Sequence, residues 1–462
     1  MSDVDPLSAL VARRNARTIP IELVASAELA RWKKKQKAAV RSFVEASGFA
    51  ARSGSVVLVP GASGVACALA GKPGRGPWGW AQIAEHLPAG RYAIGAAEQL
   101  EPGEATEAAI GWALAAYRFD RYRSSPSPEA PELLWPSGAD RARVASVVRA
   151  IAWARDLINT PAQDLGPAEL AHEARALAAL GAELRVVEVE AIEREYPAVH
   201  AVGRGASRPP RVIDARWGDP AHPRVTLVGK GVCFDTGGLD LKPADSMLRM
   251  KKDMGGAAIV LALSRLVIES KMKVRLRALI GAVENAIGPD AYRPLDVITT
   301  RKGLRVEVTH TDAEGRLVLA DLLADADREE PELLIDVATL TGSARVALGP
   351  SIAAFFATDR KLADEISSAG RRGHDPVWRL PLHRPYRRYL ESKVGDLRNT
   401  ATTSLGGAIT AAVFLAEFVE RARAWAHFDV YGWNEGARAG RPLGGEATGL
   451  RAIHELLLER YG

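Results

Sequence analysis

His310-Thr311-Asp312-Ala313-Glu314-Gly315-Arg316-Leu317 is the run from which this 462-residue chain is best read. Two carboxylates and a guanidinium, Asp312, Glu314 and Arg316, stand at alternate positions just ahead of the helical run Leu317-Val318-Leu319-Ala320. Upstream, Leu227-Val228-Gly229-Lys230-Gly231-Val232-Cys233-Phe234-Asp235-Thr236-Gly237-Gly238 brings a lysine and an aspartate out of an apolar strand. Lys242 and Asp253 follow. Four acids and two lysines are poor packing material in Gly-rich, otherwise apolar sequence. Ionised groups are seldom fully buried unless paired or bound to metal. A metal site is the simplest reading.

Each acid also has a plainer role open to it. Asp253 precedes an apolar helix beginning near Gly255, and Asp312 and Glu314 precede the Leu317 helix, so each alone fits an N-cap or first-turn carboxylate. Three such acids with Asp235 at a strand end favour a shared site. Oxygen-rich ligation without cysteine suits two hard or borderline divalent ions such as Mn²⁺, Mg²⁺ or Zn²⁺. Two ions about 3.5–4 Å apart can hold both an attacking water and the carbonyl oxygen of a hydrolysed bond. Beside such cations Lys230 loses its proton readily and can be a neutral amine ligand. Lys242 can stay charged and stabilise a developing oxyanion, or it can be a surface ion pair. Arg316 carries a planar fork suited to a carbonate-type anion, a base where no histidine is placed to act as one. Other chemistries lack their spacing. Gly229-Lys230-Gly231 is not a phosphate loop, and the nine histidines form no H-E-x-x-H. No Gly-x-Ser-x-Gly elbow occurs.

Composition sets wider bounds. Hydrophobic residues make up 47% of the chain and the net charge of +5 is mild, with no demand for nucleic acid. Lys271-Met272-Lys273-Val274-Arg275-Leu276-Arg277 alternates charge with apolar residues, as a strand with charges on a solvated end or face does. Cys67 and Cys233 are the only cysteines, too few for a disulfide framework or thiolate zinc cluster. Met1 to Arg17 is charged throughout, without the apolar core of a secretory signal. No segment approaches the roughly 18 uninterrupted apolar residues of a membrane span. A soluble, cytoplasmic protein with no membrane partner is expected.

The densest linker composition lies at 124–138, from Ser124-Ser125-Pro126-Ser127-Pro128 to Trp135-Pro136-Ser137-Gly138. It predicts a small N-terminal α/β domain over 1–138 and a larger catalytic domain over 139–462. In the first, Ser55 to Pro60 and Tyr92 to Gly95 read as strands and Ala105 to Arg121 as a helix. A long helix over Asp140 to Ile158 leads into the second. There, strands at Glu183–Val189, Arg211–Ala215, Arg224–Val228, Val274–Ala282 and Leu333–Val337 alternate with helices. The helices are Pro167–Ala179, Gly255–Glu269, Gly315–Glu329 and Leu362–Ala369. The fold class is α/β, with a mixed, mostly parallel sheet covered by helices on both faces. The charged residues fall at strand ends, where open α/β sheets bind ligands.

At these residues the chain resembles the leucyl aminopeptidase family, the dinuclear-metal cytosolic aminopeptidases. The family's Asn-Thr-Asp-Ala-Glu-Gly-Arg-Leu signature stands here as His310 to Leu317. Its Val-Gly-Lys-Gly and Phe-Asp-Ser-Gly-Gly elements stand as Val228 to Gly231 and Phe234 to Gly238. Further matches are Arg155 to Pro161, Tyr292 to Val297 and Asp336 to Gly342. The resemblance is good over roughly 150–462. It is thinner before that, at Gly111 to Leu114 and Tyr117 to Phe119. It implies an aminopeptidase acting on peptides with a free N-terminus, holding two divalent ions per subunit, Mn²⁺ or Zn²⁺, and a bicarbonate. Asp235 and Glu314 would bridge the ions, Asp312 would complete one site, and Lys230 and Asp253 the other. Lys242 would polarise the scissile carbonyl and Arg316 would hold the bicarbonate. Met250, Thr339 and Gly342 match positions of an apolar side-chain pocket, which implies broad, Leu-type specificity. The family also implies a homohexamer. Two departures stand out: His310 replaces Asn, as an altered hydrogen-bonding group or an added ligand, and Thr236 replaces Ser. The alternative is a nucleic-acid-binding or regulatory protein on the same scaffold. The chain has no helix-turn-helix or basic-aromatic signature for that role.

Overall fold

The computed structural model describes residues 5–62, 64–95, 100–125 and 127–462. Residues 1–4 of the charged N-terminus and Pro126 of the expected linker lie outside them. The chain forms two compact units, Met1–Ala152 with Gly436–Leu443, and Trp153–Glu435 with Gly444–Gly462.

The first unit carries a six-stranded sheet. Its order is Leu10–Val11, Glu132–Leu134, Arg91–Ile94, Ile19–Val24, Gly64–Gly71 and Val56–Gly61, with all neighbours parallel except the last pair. The Pro/Ser-rich stretch read as a linker therefore contributes a strand, Glu132–Leu134. The helix expected over Ala105 to Arg121 spans Pro102–Ala116. Proline suits its first turn, where the missing N–H is no loss. It stops where Tyr117 turns extended, at φ −60° and ψ 130°.

The second unit is built on an eight-stranded mixed sheet. Its order is Val377–Arg379, Ala353–Ala357, Trp425–Asp429, Leu333–Ala338, Arg224–Asp235, Arg275–Asn285, Arg211–Trp217 and Glu183–Val187. The four central strands, from Trp425–Asp429 to Arg275–Asn285, run parallel. Leu333–Ala338 is buried along its whole length, as a strand covered on both faces must be. Two glycines show how tightly it is covered. Gly229 lies opposite Ile280 in the register, so the next residue, Gly281, faces the other way. A Cβ on Gly229 would come within 2.8 Å of Ala257 in the helix Gly255–Glu269. One on Gly281 would come within 2.6 Å of Val318 in the helix Glu314–Asp327. The two helices cap opposite faces.

Two expectations are corrected. The strand read as ending at Val228 runs on to Asp235, so Lys230 sits in a strand and not in a loop. Its glycines provide close packing, not loop freedom: a Cβ on Gly231 would lie 2.7 Å from the Gly281 carbonyl oxygen. The charges of Lys271 to Arg277 are not all solvated either. Arg277 is buried between Asp214 at 2.9 Å and Asp325 at 2.5 Å.

Candidate metal centre and active site

Asp235 ends one central strand and Asn285 ends its neighbour, paired in register. Asp235 Oδ1 accepts hydrogen bonds from Gly237 N and Asn285 Nδ2, each at 2.8 Å. Its Oδ2 lies 2.8 Å from Lys242 Nζ, which also pairs with Asp312. Lys230 Nζ is 2.8 Å from both Asp253 Oδ2 and Glu314 Oε1, and donates to the Thr339 carbonyl at 2.8 Å. Gly315 makes room for it, since a Cβ there would lie 2.7 Å from Lys230 Nζ. Asp253 sits in the 3₁₀ turn Met250–Met254 and accepts the Thr339 hydroxyl at 2.7 Å. Glu314 opens the helix Glu314–Asp327. Of the plainer roles, Glu314 does fill the first-turn position of its helix, but neither that helix nor Gly255–Glu269 begins with a side-chain cap bond.

One carboxylate oxygen each from Asp235, Asp312 and Glu314 lies within 4.8 Å of the others. Four acids crowd two lysines, so the local field favours any positive charge. Burial and the charges of Glu314 and Asp253 push the Asp235 carboxyl well above its ordinary range. Burial, then Glu314, raises Asp312. Burial would raise Glu314 too, but Lys230 and Lys242 outweigh it and hold it low. Burial would also discharge Lys230, yet Asp253, Glu314 and Asp235 outweigh that and keep it protonated. Carboxylate oxygens packed this closely fit divalent ions, and such ions would supply the opposing charge that makes Lys230 a neutral donor.

The cluster opens into a cavity of about 430 Å³ lined also by Met250, Thr339 and Gly342. All five expected metal ligands, Lys242 and the three pocket residues thus meet in one place. Arg316 stands apart from that wall. It is buried, donates to the Asn399 carbonyl at 2.6 Å, and its Nε has no hydrogen-bond partner among the described residues. Burial lowers its guanidinium to about 10 despite Glu314, Asp429 and Asp312. His310 turns its Nδ1 to accept the Asp312 backbone N–H at 3.1 Å, with half its side chain exposed.

Sequence reasoning missed the groups that hold the ligands in place. Asn285 donates to Asp235 and to the Thr311 carbonyl. Thr311 donates its hydroxyl to the Gly237 carbonyl at 2.6 Å and its N–H to Asp240 at 2.7 Å. Asn285 left a faint trace as the polar end of an apolar strand. Sequence reasoning also missed Arg249 and Lys252, from one short segment, and Arg345 and Tyr431, from two others, all on the cavity wall.

Residues 152–454 match the model of the cytosol aminopeptidase family, catalytic domain. The chain belongs to that family. Residues 19–136 match the M17 aminopeptidase N-terminal domain. A probable cytosol aminopeptidase of Roseiflexus castenholzii is 42% identical over 377 residues, which is 77% of this chain and 76% of that protein. The crystal structure of a cytosol aminopeptidase from Coxiella burnetii superposes with a TM-score of 0.94 at 44% identity. It covers 98% of this chain and 100% of that one. The bottromycin maturation enzyme BotP, in complex with Mn, gives a TM-score of 0.84 at 34% identity, covering 96% and 100%. As a member of the cytosol aminopeptidase family, this chain is a metallo-aminopeptidase and its substrates are peptides.

Proposed function

We propose that this family member hydrolyses the N-terminal peptide bond of peptides with a free amine, using two divalent ions, Mn²⁺ or Zn²⁺. The observation that carries the reading is the convergence of Asp235, Asp312 and Glu314 oxygens beside Lys230 and Asp253 at the floor of one cavity. Asp235 and Glu314 would bridge the ions, Asp312 complete one site, and Lys230 and Asp253 the other. When bound, such ions lower the pKa of a water and polarise a carbonyl oxygen. The remaining work falls to side chains. Asp253 offers a negative charge to the substrate's free ammonium. Lys242 stays charged and stabilises the oxyanion that develops on the scissile carbonyl, because a preorganised cation costs no reorganisation. Arg316 would hold a bicarbonate that accepts the water's proton, a role suited to its unpartnered buried Nε. Met250, Thr339 and Gly342 would receive the N-terminal side chain, with apolar, Leu-type residues accepted broadly. The catalytic function is assigned to 139–462 and a separate domain to 1–138. A homohexamer in the cytoplasm completes the proposal, in keeping with relatives called cytosol aminopeptidases.

The test compares leucyl-p-nitroanilide with its N-acetylated form, before and after chelation and after return of Mn²⁺ or Zn²⁺. Cleavage of only the free-amine substrate, lost on chelation and regained with metal, is expected. No turnover by fully metal-loaded protein overturns the reading.

A further inference from the structure

The cavity wall holds more positive charge than an apolar side-chain pocket needs. Lys252 lines it, yet is only 5% exposed. Its ammonium lies 4.7 Å from the centre of the Tyr431 ring and forms no ion pair among the described residues, the Asp253 carboxylate next along the chain acting on it only through its field. Arg345, on the helix Gly342–Leu348, sets its guanidinium 5.2 Å from the same ring and reaches the Tyr431 hydroxyl at 3.4 Å. It too lacks an acidic partner among the described residues. The ring itself is anchored. Tyr431 donates its hydroxyl to Glu435, and Arg249 binds the same carboxylate at 3.1 Å. Arg249 is therefore already paired. Asp245, a further carboxylate on the wall, is exposed and within ion-pair reach of neither free cation.

A buried charge is costly unless it is paired. Contact with a tyrosine face offsets only part of that cost. Two unpaired cations on one anchored ring, one of them buried, make a preformed receptor for an anion. A carboxylate can satisfy both by ionic hydrogen bonds and leave the ring contacts intact.

We propose that Lys252 and Arg345, seated on Tyr431, form a subsite for a carboxylate of the peptide substrate, in the same cavity as the hydrolytic cluster. The proposal rests on the aminopeptidase reading and deepens it. The cavity then selects peptides that carry a negative charge close to the cleaved bond, in addition to apolar N-terminal residues. That charge has two sources on a short peptide: the side chain of an N-terminal Glu or Asp, or the C-terminus of a dipeptide.

The experiment uses metal-loaded full-length protein and two substrate pairs. α-Glutamyl-p-nitroanilide against leucyl-p-nitroanilide varies the side chain alone. Leu-Gly against Leu-Gly-amide varies the C-terminus alone. The wild type is expected to favour the carboxylate-bearing member of at least one pair in kcat/KM, and the favoured pair names the source. Lys252→Met is expected to cut that preference about tenfold, and the exposed Arg345→Gln about threefold, the sizes of one or part of one charged hydrogen bond. Calorimetric titration of L-glutamate and L-leucine, and of the two dipeptides where they are not cleaved, reads the subsite without turnover. Loss of hydrolysis with every substrate would sink the aminopeptidase reading while the titrations still decide the subsite. Equal handling of both members of each pair, or a preference that survives in Lys252→Met with unchanged thermal melting, overturns the proposal.

Discussion

The second unit carries a cluster of charge at each end of one strand, and the two are built on opposite plans. Near the start of the strand Arg275–Asn285, Asp214, Asp325 and Glu329 meet Arg216, Arg277 and Arg301. Arg277 lies 2.9 Å from Asp214, Arg301 is 2.6 Å from Asp325, and Arg216 is 2.7 Å from Glu329. Tyr196 donates to Asp325 at 3.0 Å. Signs alternate and acids equal bases. At the end of the same strand, four carboxylates face two lysines beside a cavity. The difference is visible in the protons. Burial would raise Asp325, but Arg277 and Arg301 outweigh it and hold it below its ordinary value. Asp235 and Asp312 are pushed the other way, by burial first and then by the charge of Glu314. Burial of charge alone therefore does not mark a functional site. An unbalanced cluster of like charges at a cavity does.

The contrast breaks most sharply at Glu314. Glu314→Ala should lower kcat more than about a hundredfold, since bound metal supplies several kcal/mol of stabilisation. Metal content by mass spectrometry should fall with it; retained metal and turnover near wild type would put this cluster in the same class as the balanced one. Arg277→Met tests the other side. It removes the cation that Asp214 and Asp325 share and leaves them only Arg216 and Arg301, so urea unfolding should show a loss of about 3 kcal/mol, the low end for a broken buried pair, while turnover per folded molecule is unchanged. A loss of turnover without loss of stability would reverse the assignment.

Acid sharpens the comparison further. Asp325 has a folded pKa below its ordinary 3.8, so its ion pairs contribute stability that is complete above that pH and fades as pH falls through the folded value. Asp325→Asn should be less stable than wild type at neutral pH, with the gap closing below pH 3.8. A gap that widens on acidification contradicts the sign. The smallest effect is expected at His310. An asparagine carbonyl can accept the Asp312 N–H that His310 Nδ1 accepts now. His310→Asn should therefore shift kcat/KM less than about threefold, within one hydrogen bond's net worth. A tenfold change would make His310 a ligand or substrate contact.

Much of the site was legible in order along the chain. Asp235, Asp253, Asp312, Glu314, Lys230 and Lys242 stand in short, unusual runs, because ionised groups are rare in otherwise apolar, Gly-rich sequence and stand out against it. The strand-helix alternation was legible for the same reason: apolar periodicity reports burial directly. Its edges were less so. Lys230 was read into a loop because glycine looks the same whether it frees a turn or admits a neighbouring helix. The end of the Arg224–Asp235 strand depended on Ala257 and Gly281, which the local sequence cannot see.

What the sequence determined by itself was therefore chemistry and periodicity: which residues carry charge, which runs are buried, and which family signature they spell. What only the tertiary structure decided was partnership. Arg277 and Lys230 are both basic residues on strands of one sheet. One lies among acids it balances, the other among acids that outnumber the bases. Lys252 looked like one more charge in Met250-Lys251-Lys252-Asp253, and only the fold sets it unpaired against Tyr431 in the cavity. Net charge and solvent access at a point depend on segments far apart in the chain, and no local pattern encodes their sum.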